Sequence, residues 1–80
     1  MNITVLGAGA WGTALARILA ERKHAVTIWD YFPETAETIN RIHVNERYLP
    51  GIELPKSLRG ESDAAKAVAG AGSVKSSAGT

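Results

Sequence analysis

Gly7, Gly9 and Gly12 lie in the run VLGAGAWGTALA, residues 5–16, and fit the spacing G-x-G-x-x-G. The spacing has a mechanical reason. The first glycine lets a chain turn sharply out of a strand, the second leaves the backbone bare so that a pyrophosphate can approach, and the third lets a helix pack closely on a sheet. Free N–H groups at the helix start, with the positive end of the helix dipole, face the anion. Glycine in a first helical turn costs about 1 kcal/mol relative to alanine, a cost tolerated where something must come close. The chemistry expected is diphosphate binding. The alternative is a Gly-rich turn that merely joins a strand to a helix.

A carboxylate supplies the second half of the pattern. Asp30 follows Gly12 by 18 positions, near the ~20 expected for an acid that accepts hydrogen bonds from both ribose hydroxyls of an adenosine. Such an acid repels a 2′-phosphate, which usually calls for a nearby arginine. The next residues, Tyr31 and Phe32, are not cationic, so the residues favour NAD over NADP. Asp30 can also cap or precede a helix beginning at Pro33, and the two roles can coexist.

The elements that must hold these residues follow from periodicity. Residues 2–6, NITVL, suit a strand buried on both faces. From Ala10 the period changes: Trp11, Ala14, Leu15, Ile18 and Leu19 form one helical stripe, with Thr13, Arg17 and Glu21 opposite and an end near Arg22 or Lys23. Residues 25–29, AVTIW, form a second strand. Pro33 opens a second helix, with Glu34 and Glu37 near its positive end and Ala36, Ile39 and Ile42 or His43 facing inward. NERYLPGIELPKSL reads as a loop with at most short local structure. LRGES offers a weak third strand, and Ser62 caps a short helix from Asp63 to Ala69. Alternation of this kind implies a parallel α/β sheet.

Composition bounds the rest. Eighty residues make one small domain, with no cysteine for a disulfide or a thiolate metal site. Nine Lys/Arg against eight Asp/Glu, interspersed, give a net charge of +1 and no basic stripe for nucleic acid. No apolar stretch approaches the ~20 residues of a membrane span, and the chain opens on a strand-like segment. A soluble, cytoplasmic chain is expected. No catalytic constellation is visible: His24 and His43 read as surface or capping residues, Glu34, Glu37 and Glu46 as a solvated face, and no cluster has metal-ligand spacing.

Three stretches together carry a family resemblance. NITVLGAGAWGTALA, then VTIW, then NERYLPGIELPKSLRGESDAAKAVAGA resemble the start of bacterial NAD(P)-dependent glycerol-3-phosphate dehydrogenase, from residue 2 to about residue 71. G-x-G-x-x-G alone is shared by many dehydrogenases, whereas GAGAWGTALA followed by N-x-x-YLPG is far more specific. The resemblance implies a parent oxidoreductase that moves a hydride between glycerol 3-phosphate and dihydroxyacetone phosphate, supplying the phospholipid backbone. It further implies that Ala10 and Trp11 lie near the cofactor phosphates, and that Tyr31, Phe32 and Tyr48 lie on the cofactor side of the site. For Trp11 the competing reading is a core residue of the helix stripe, and for Tyr48 a loop anchor packed on the sheet.

The chain departs from the family pattern at three places. Asp30, Tyr31 and Phe32 stand where the family often carries His or Arg. Lys23 stands where the family often has glycine, which costs of order 1 kcal/mol if that backbone is left-handed. After AVAGA the chain continues GSVKSSAGT, where the family would supply an acid and a buried apolar strand. The family's catalytic lysines and helical substrate domain have no counterpart here.

The expected fold is therefore a partial Rossmann-type doubly wound parallel sheet, β-α-β-α-weak β-α, truncated before the fourth strand. Residues 1–69 form a partial dinucleotide-binding domain and residues 70–80 a flexible tail. By its own residues the chain binds NAD or NADP at most. It is a cofactor-binding part of the dehydrogenase, a free-standing nucleotide-binding module without catalysis, or an inert truncation product. Without a fourth strand, residues 2–6 expose an unpaired apolar edge. That edge would be met by self-association or by the missing remainder of the parent enzyme.

Overall fold

A computed structural model of the chain describes residues 1–76. Strands and helices alternate: β1 (Asn2–Leu6), α1 (Ala10–Glu21), β2 (Ala25–Trp29), α2 (Pro33–Ile42), β3 (Arg59–Glu61), α3 (Ala64–Val68) and β4 (Ser73–Ser76). The strands of the sheet all pair in parallel, in the order β3-β2-β1-β4. β1 is central, and Ile3, Thr4 and Val5 are all buried, as a strand covered on both faces requires. Val5 packs with Val26 and Ile28 of β2, Ala16 and Ala20 of α1, and Ile39 of α2. On the other face the Thr4 hydroxyl donates to the Ala67 carbonyl of α3. Residues 43–58 do more than connect: Leu54 and Leu58 are among the most buried side chains of the core.

The buried face of α1 is not the stripe of large residues. Gly12, Thr13, Ala16 and Ala20 face the sheet, while Trp11 and Ile18 are exposed, Trp11 by 67%. Small residues let the helix axis lie close to the strands, and close approach wins over the area that larger side chains would bury. Thr13, expected opposite the core, is fully buried, and its hydroxyl donates to the Ala8 carbonyl (3.2 Å). The core reading of Trp11 is thereby corrected.

The sheet also runs one strand further than expected. Ser73–Ser76 pairs with β1 from Ile3 to Leu6, and the Gly72 N–H donates to the Asn2 carbonyl (2.8 Å). The truncation before a fourth strand is corrected, as is the flexible tail as far as residue 76; residues 77–80 lie outside the described residues. The physical reason is that the free side of a central strand carries a row of N–H and C=O groups that need partners. Backbone pairing satisfies them almost regardless of side chain, so a small, polar segment suffices. The open edge at residues 2–6 is closed, and self-association through it loses its basis.

Two helix ends complete the comparison. The N-cap of α3 is Asp63, not Ser62; its carboxylate accepts from the Lys66 N–H (3.1 Å). α1 closes at its C-terminus with the Lys23 N–H on the Ala20 carbonyl (3.0 Å) and the His24 N–H on the Leu19 carbonyl (3.3 Å). This double closure places Lys23 in the left-handed region, φ 72°. Replacing Lys23 with glycine is expected to raise stability by about 1 kcal/mol, the left-handed penalty of an L side chain. The urea midpoint should rise at unchanged m-value.

Candidate functional site

The site forms where the chain leaves the carboxyl ends of the parallel strands, beside the strand at which the sheet order reverses. Open α/β sheets bind ligands in that crevice. Register places Leu6 of β1 opposite Trp29 of β2. One step further, the Gly7 N–H donates to the Trp29 carbonyl (2.8 Å), so the glycine turn and Asp30 leave the sheet side by side. Gly7 makes the turn with φ 107°, a conformation that L side chains rarely adopt.

Gly9 is different. Its φ of −64° and ψ of 177° suit any residue, and a Cβ built on it meets no atom within 4 Å. Among the described residues, neither packing nor backbone conformation requires glycine there, and the position is open. Among the described residues no acceptor reaches the N–H groups of Gly9, Ala10, Trp11 or Gly12. These are the orphan donors of a helix start, joined by the positive end of a twelve-residue helix. The turn therefore fits a diphosphate.

Asp30 is 8% exposed. Its N–H donates to the Glu61 carbonyl of β3 (3.1 Å), and its carboxylate accepts from the Phe32 N–H (3.2 Å). That second bond supports the local turn before α2, and the carboxylate keeps acceptor capacity for a ligand. Tyr31 is 74% exposed, and its ring meets Phe32 edge-on with centroids 5.4 Å apart. Tyr48 is partly exposed rather than packed into the sheet as an anchor. Its hydroxyl accepts from Arg47 Nε (3.1 Å), and the Arg47 guanidinium lies 4.1 Å from the Phe32 ring centroid. The loop after α2 is thus drawn against the segment after β2, and Tyr31, Phe32, Arg47 and Tyr48 gather beside Asp30. Trp11 instead lines an apolar groove with Ala14, Leu15 and Ile18.

Sequence reasoning missed three residues here. Arg47 brings a cation to the segment read as having none. Thr13 and Asn45 are both buried and hydrogen-bonded to each other (2.8 Å). Asn45 belongs to the N-x-x-YLPG motif and Arg47 stands inside it, but the motif does not say which residues of the glycine turn or of the segment after β2 they meet.

Residues 2–75 match the family described as NAD-dependent glycerol-3-phosphate dehydrogenase N-terminus. The chain belongs to that family. The glycerol-3-phosphate dehydrogenase [NAD(P)+] of Anaeromyxobacter sp. (strain K) is 52% identical over 71 residues, 89% of this chain and 21% of that protein. The enzyme of the same name from Stenotrophomonas maltophilia (strain K279a) is 54% identical over 70 residues, 88% of this chain and 20% of that protein. The crystal structure of glycerol-3-phosphate dehydrogenase from Coxiella burnetii superposes with a TM-score of 0.86 at 35% identity, over 94% of this chain and 23% of that one. The structure of glycerol-3-phosphate dehydrogenase from Saccharomyces cerevisiae gives 0.87 at 31%, over 95% of this chain and 25% of that one. This member of the glycerol-3-phosphate dehydrogenase N-terminus family thus spans about a fifth of the length of the curated relatives it matches. No helix among its described residues is long and apolar enough to cross a membrane.

Proposed function

We propose that this chain binds NAD or NADP with the diphosphate on the turn from Gly7 to Gly12, as the cofactor-binding part of a glycerol-3-phosphate dehydrogenase. The parent reaction is hydride transfer between glycerol 3-phosphate and dihydroxyacetone phosphate in the cytoplasm, and the part this chain contributes to it is cofactor binding. The observation that carries the reading is Gly9, whose missing side chain leaves open space beside four N–H groups that have no acceptor among the described residues. When bound, the nicotinamide accepts or donates the hydride. The residues here bind and orient: the turn and Ala10 take the diphosphate, with Trp11 beside it; Asp30 takes the ribose hydroxyls; Tyr31, Phe32 and Tyr48 flank the adenosine.

Titration of the chain with NAD, followed by backbone NMR, tests this. Saturable shifts are expected at residues 7–12 and 30–32. A folded chain without saturable shifts overturns the reading and favours an inert product. Saturable binding is equally expected of a free-standing module, and turnover of a longer parent protein separates the two.

Asp30 supports a preference for NAD, because a carboxylate repels a 2′-phosphate. One observation favours NADP as well: the Arg47 guanidinium beside Phe32 offers a phosphate partner. Asp30→Ser is expected to narrow the ratio of NAD to NADP affinity roughly tenfold, the loss of charge-assisted hydrogen bonds to the ribose. Dissociation constants for both dinucleotides check it, and an unchanged ratio would reduce Asp30 to a local turn former.

A further inference from the structure

Asn45 lies far from the glycine turn in the chain yet sits directly behind it. Its side-chain Nδ2 donates to the Ala8 carbonyl (2.8 Å) and to Thr13 Oγ1 (2.8 Å). Thr13 Oγ1 donates in turn to the same Ala8 carbonyl (3.2 Å), and Asn45 Oδ1 accepts from the Tyr48 N–H (3.3 Å). Both amide protons and the amide oxygen are therefore engaged, with Ala8, Thr13 and Asn45 all at most 1% exposed. Ala8 is the residue between the first two glycines of the motif.

The consequence follows from the planarity of one peptide. The 8–9 peptide bond is trans, as all are among the described residues. In a trans peptide the carbonyl and the N–H point in opposite directions. Holding the Ala8 carbonyl inward, on two donors, holds the Gly9 N–H outward, at a residue whose Cβ position meets no described atom within 4 Å. We propose that Asn45 is a positioning residue: its carboxamide fixes the 8–9 peptide so that the Gly9 N–H is presented to the diphosphate of a dinucleotide. The same side chain ties this turn to the Tyr48 segment, so one amide sets the spacing between the diphosphate end and the adenosine end. Aspartate could not substitute, because a carboxylate has no proton for the Ala8 carbonyl. The ligand consequence rests on the dinucleotide reading above; the orientation of the peptide does not.

The test separates the two. In the isotope-labelled, ligand-free chain, a coupling through the hydrogen bond from Asn45 Nδ2 to the Ala8 carbonyl carbon is expected, together with residual dipolar couplings that place the Gly9 N–H outward. Asn45→Ala, and the better-filling Asn45→Leu, should leave the fold in place, as a cooperative urea unfolding curve shows, and change the Gly9 coupling. Affinity for ADP-ribose should fall at least about tenfold, the effect of losing aligned donors to a charged group. Affinity for adenosine, which has no diphosphate, should stay within about twofold. A folded variant with an unchanged Gly9 coupling, or equal losses for ADP-ribose and adenosine, overturns the proposal. Should neither variant fold, the wild-type chain still decides, since a missing coupling from Asn45 to Ala8 or an inward Gly9 N–H also overturns it. If the wild-type chain takes up neither ADP-ribose nor inorganic pyrophosphate, the dinucleotide reading fails, and the Gly9 coupling still reports on the orientation.

Discussion

Gly9→Val should weaken dinucleotide binding roughly 100-fold, about 2.7 kcal/mol, and leave the fold intact. Two observations make this substitution unusually clean. The backbone at Gly9, φ −64° and ψ 177°, is open to a β-branched residue. A Cβ there meets no atom of the described residues within 4 Å, so valine meets no clash with them. Its two methyl groups occupy instead the space in front of the Gly9, Ala10 and Trp11 N–H groups, where a diphosphate must sit to use them. Gly7→Val would not isolate the same effect, because φ is 107° there and the turn itself would be strained. The measurement is titration calorimetry with NAD and ADP-ribose beside a urea unfolding curve. A variant with wild-type affinity and a wild-type midpoint would remove the turn from the binding site.

Gly60→Ala should act in the opposite sense, damaging stability before it touches binding. A Cβ on Gly60 would lie 2.8 Å from both the Cα and the carbonyl oxygen of Ala36 in α2. Those are backbone atoms and cannot rotate away, so α2 must move off β3. Asn40 prevents that movement from being cheap. Its side chain accepts from the Gly60 N–H (2.9 Å) and donates to the Gly60 carbonyl (3.0 Å), strapping the helix to the strand on both sides of the glycine. Overpacking of this kind costs about 1–3 kcal/mol, and weakening the strap adds about 1 kcal/mol more. A domain of this size has roughly 4–12 kcal/mol in total, so the urea midpoint should fall by a large fraction of its value. Binding suffers second, because Glu61, the next residue, holds the Asp30 N–H. A midpoint within error of wild type would mean that α2 yields more readily than its two hydrogen bonds imply.

The order of elements was legible wherever a local pattern carried it. Two short β-branched runs gave β1 and β2, the change to helical period at Ala10 gave α1, and Pro33 marked the start of α2. The glycine turn and Asp30 were legible for the same reason, since a turn, a helix start and the residue after a strand are all local. The left-handed backbone at Lys23 was legible only through the family pattern.

Elements defined by partners were not legible. Ser73–Ser76 carries no strand pattern of its own and is a strand because β1 offers it a free row of backbone groups. The inner face of α1 follows the sheet's demand for close approach, which put Thr13 inside and Trp11 outside against the apolar count. Asn45 meets Ala8 and Thr13, and Arg47 meets Phe32, across separations that no local pattern encodes. The sequence by itself determined which residues could turn, bare the backbone and accept from a ribose, because those are properties of single side chains and their neighbours. Only the tertiary structure decided what stands behind the turn and what lies beside Asp30, because buried hydrogen bonds and ring contacts form where distant segments are packed together, and burial makes a missing partner costly.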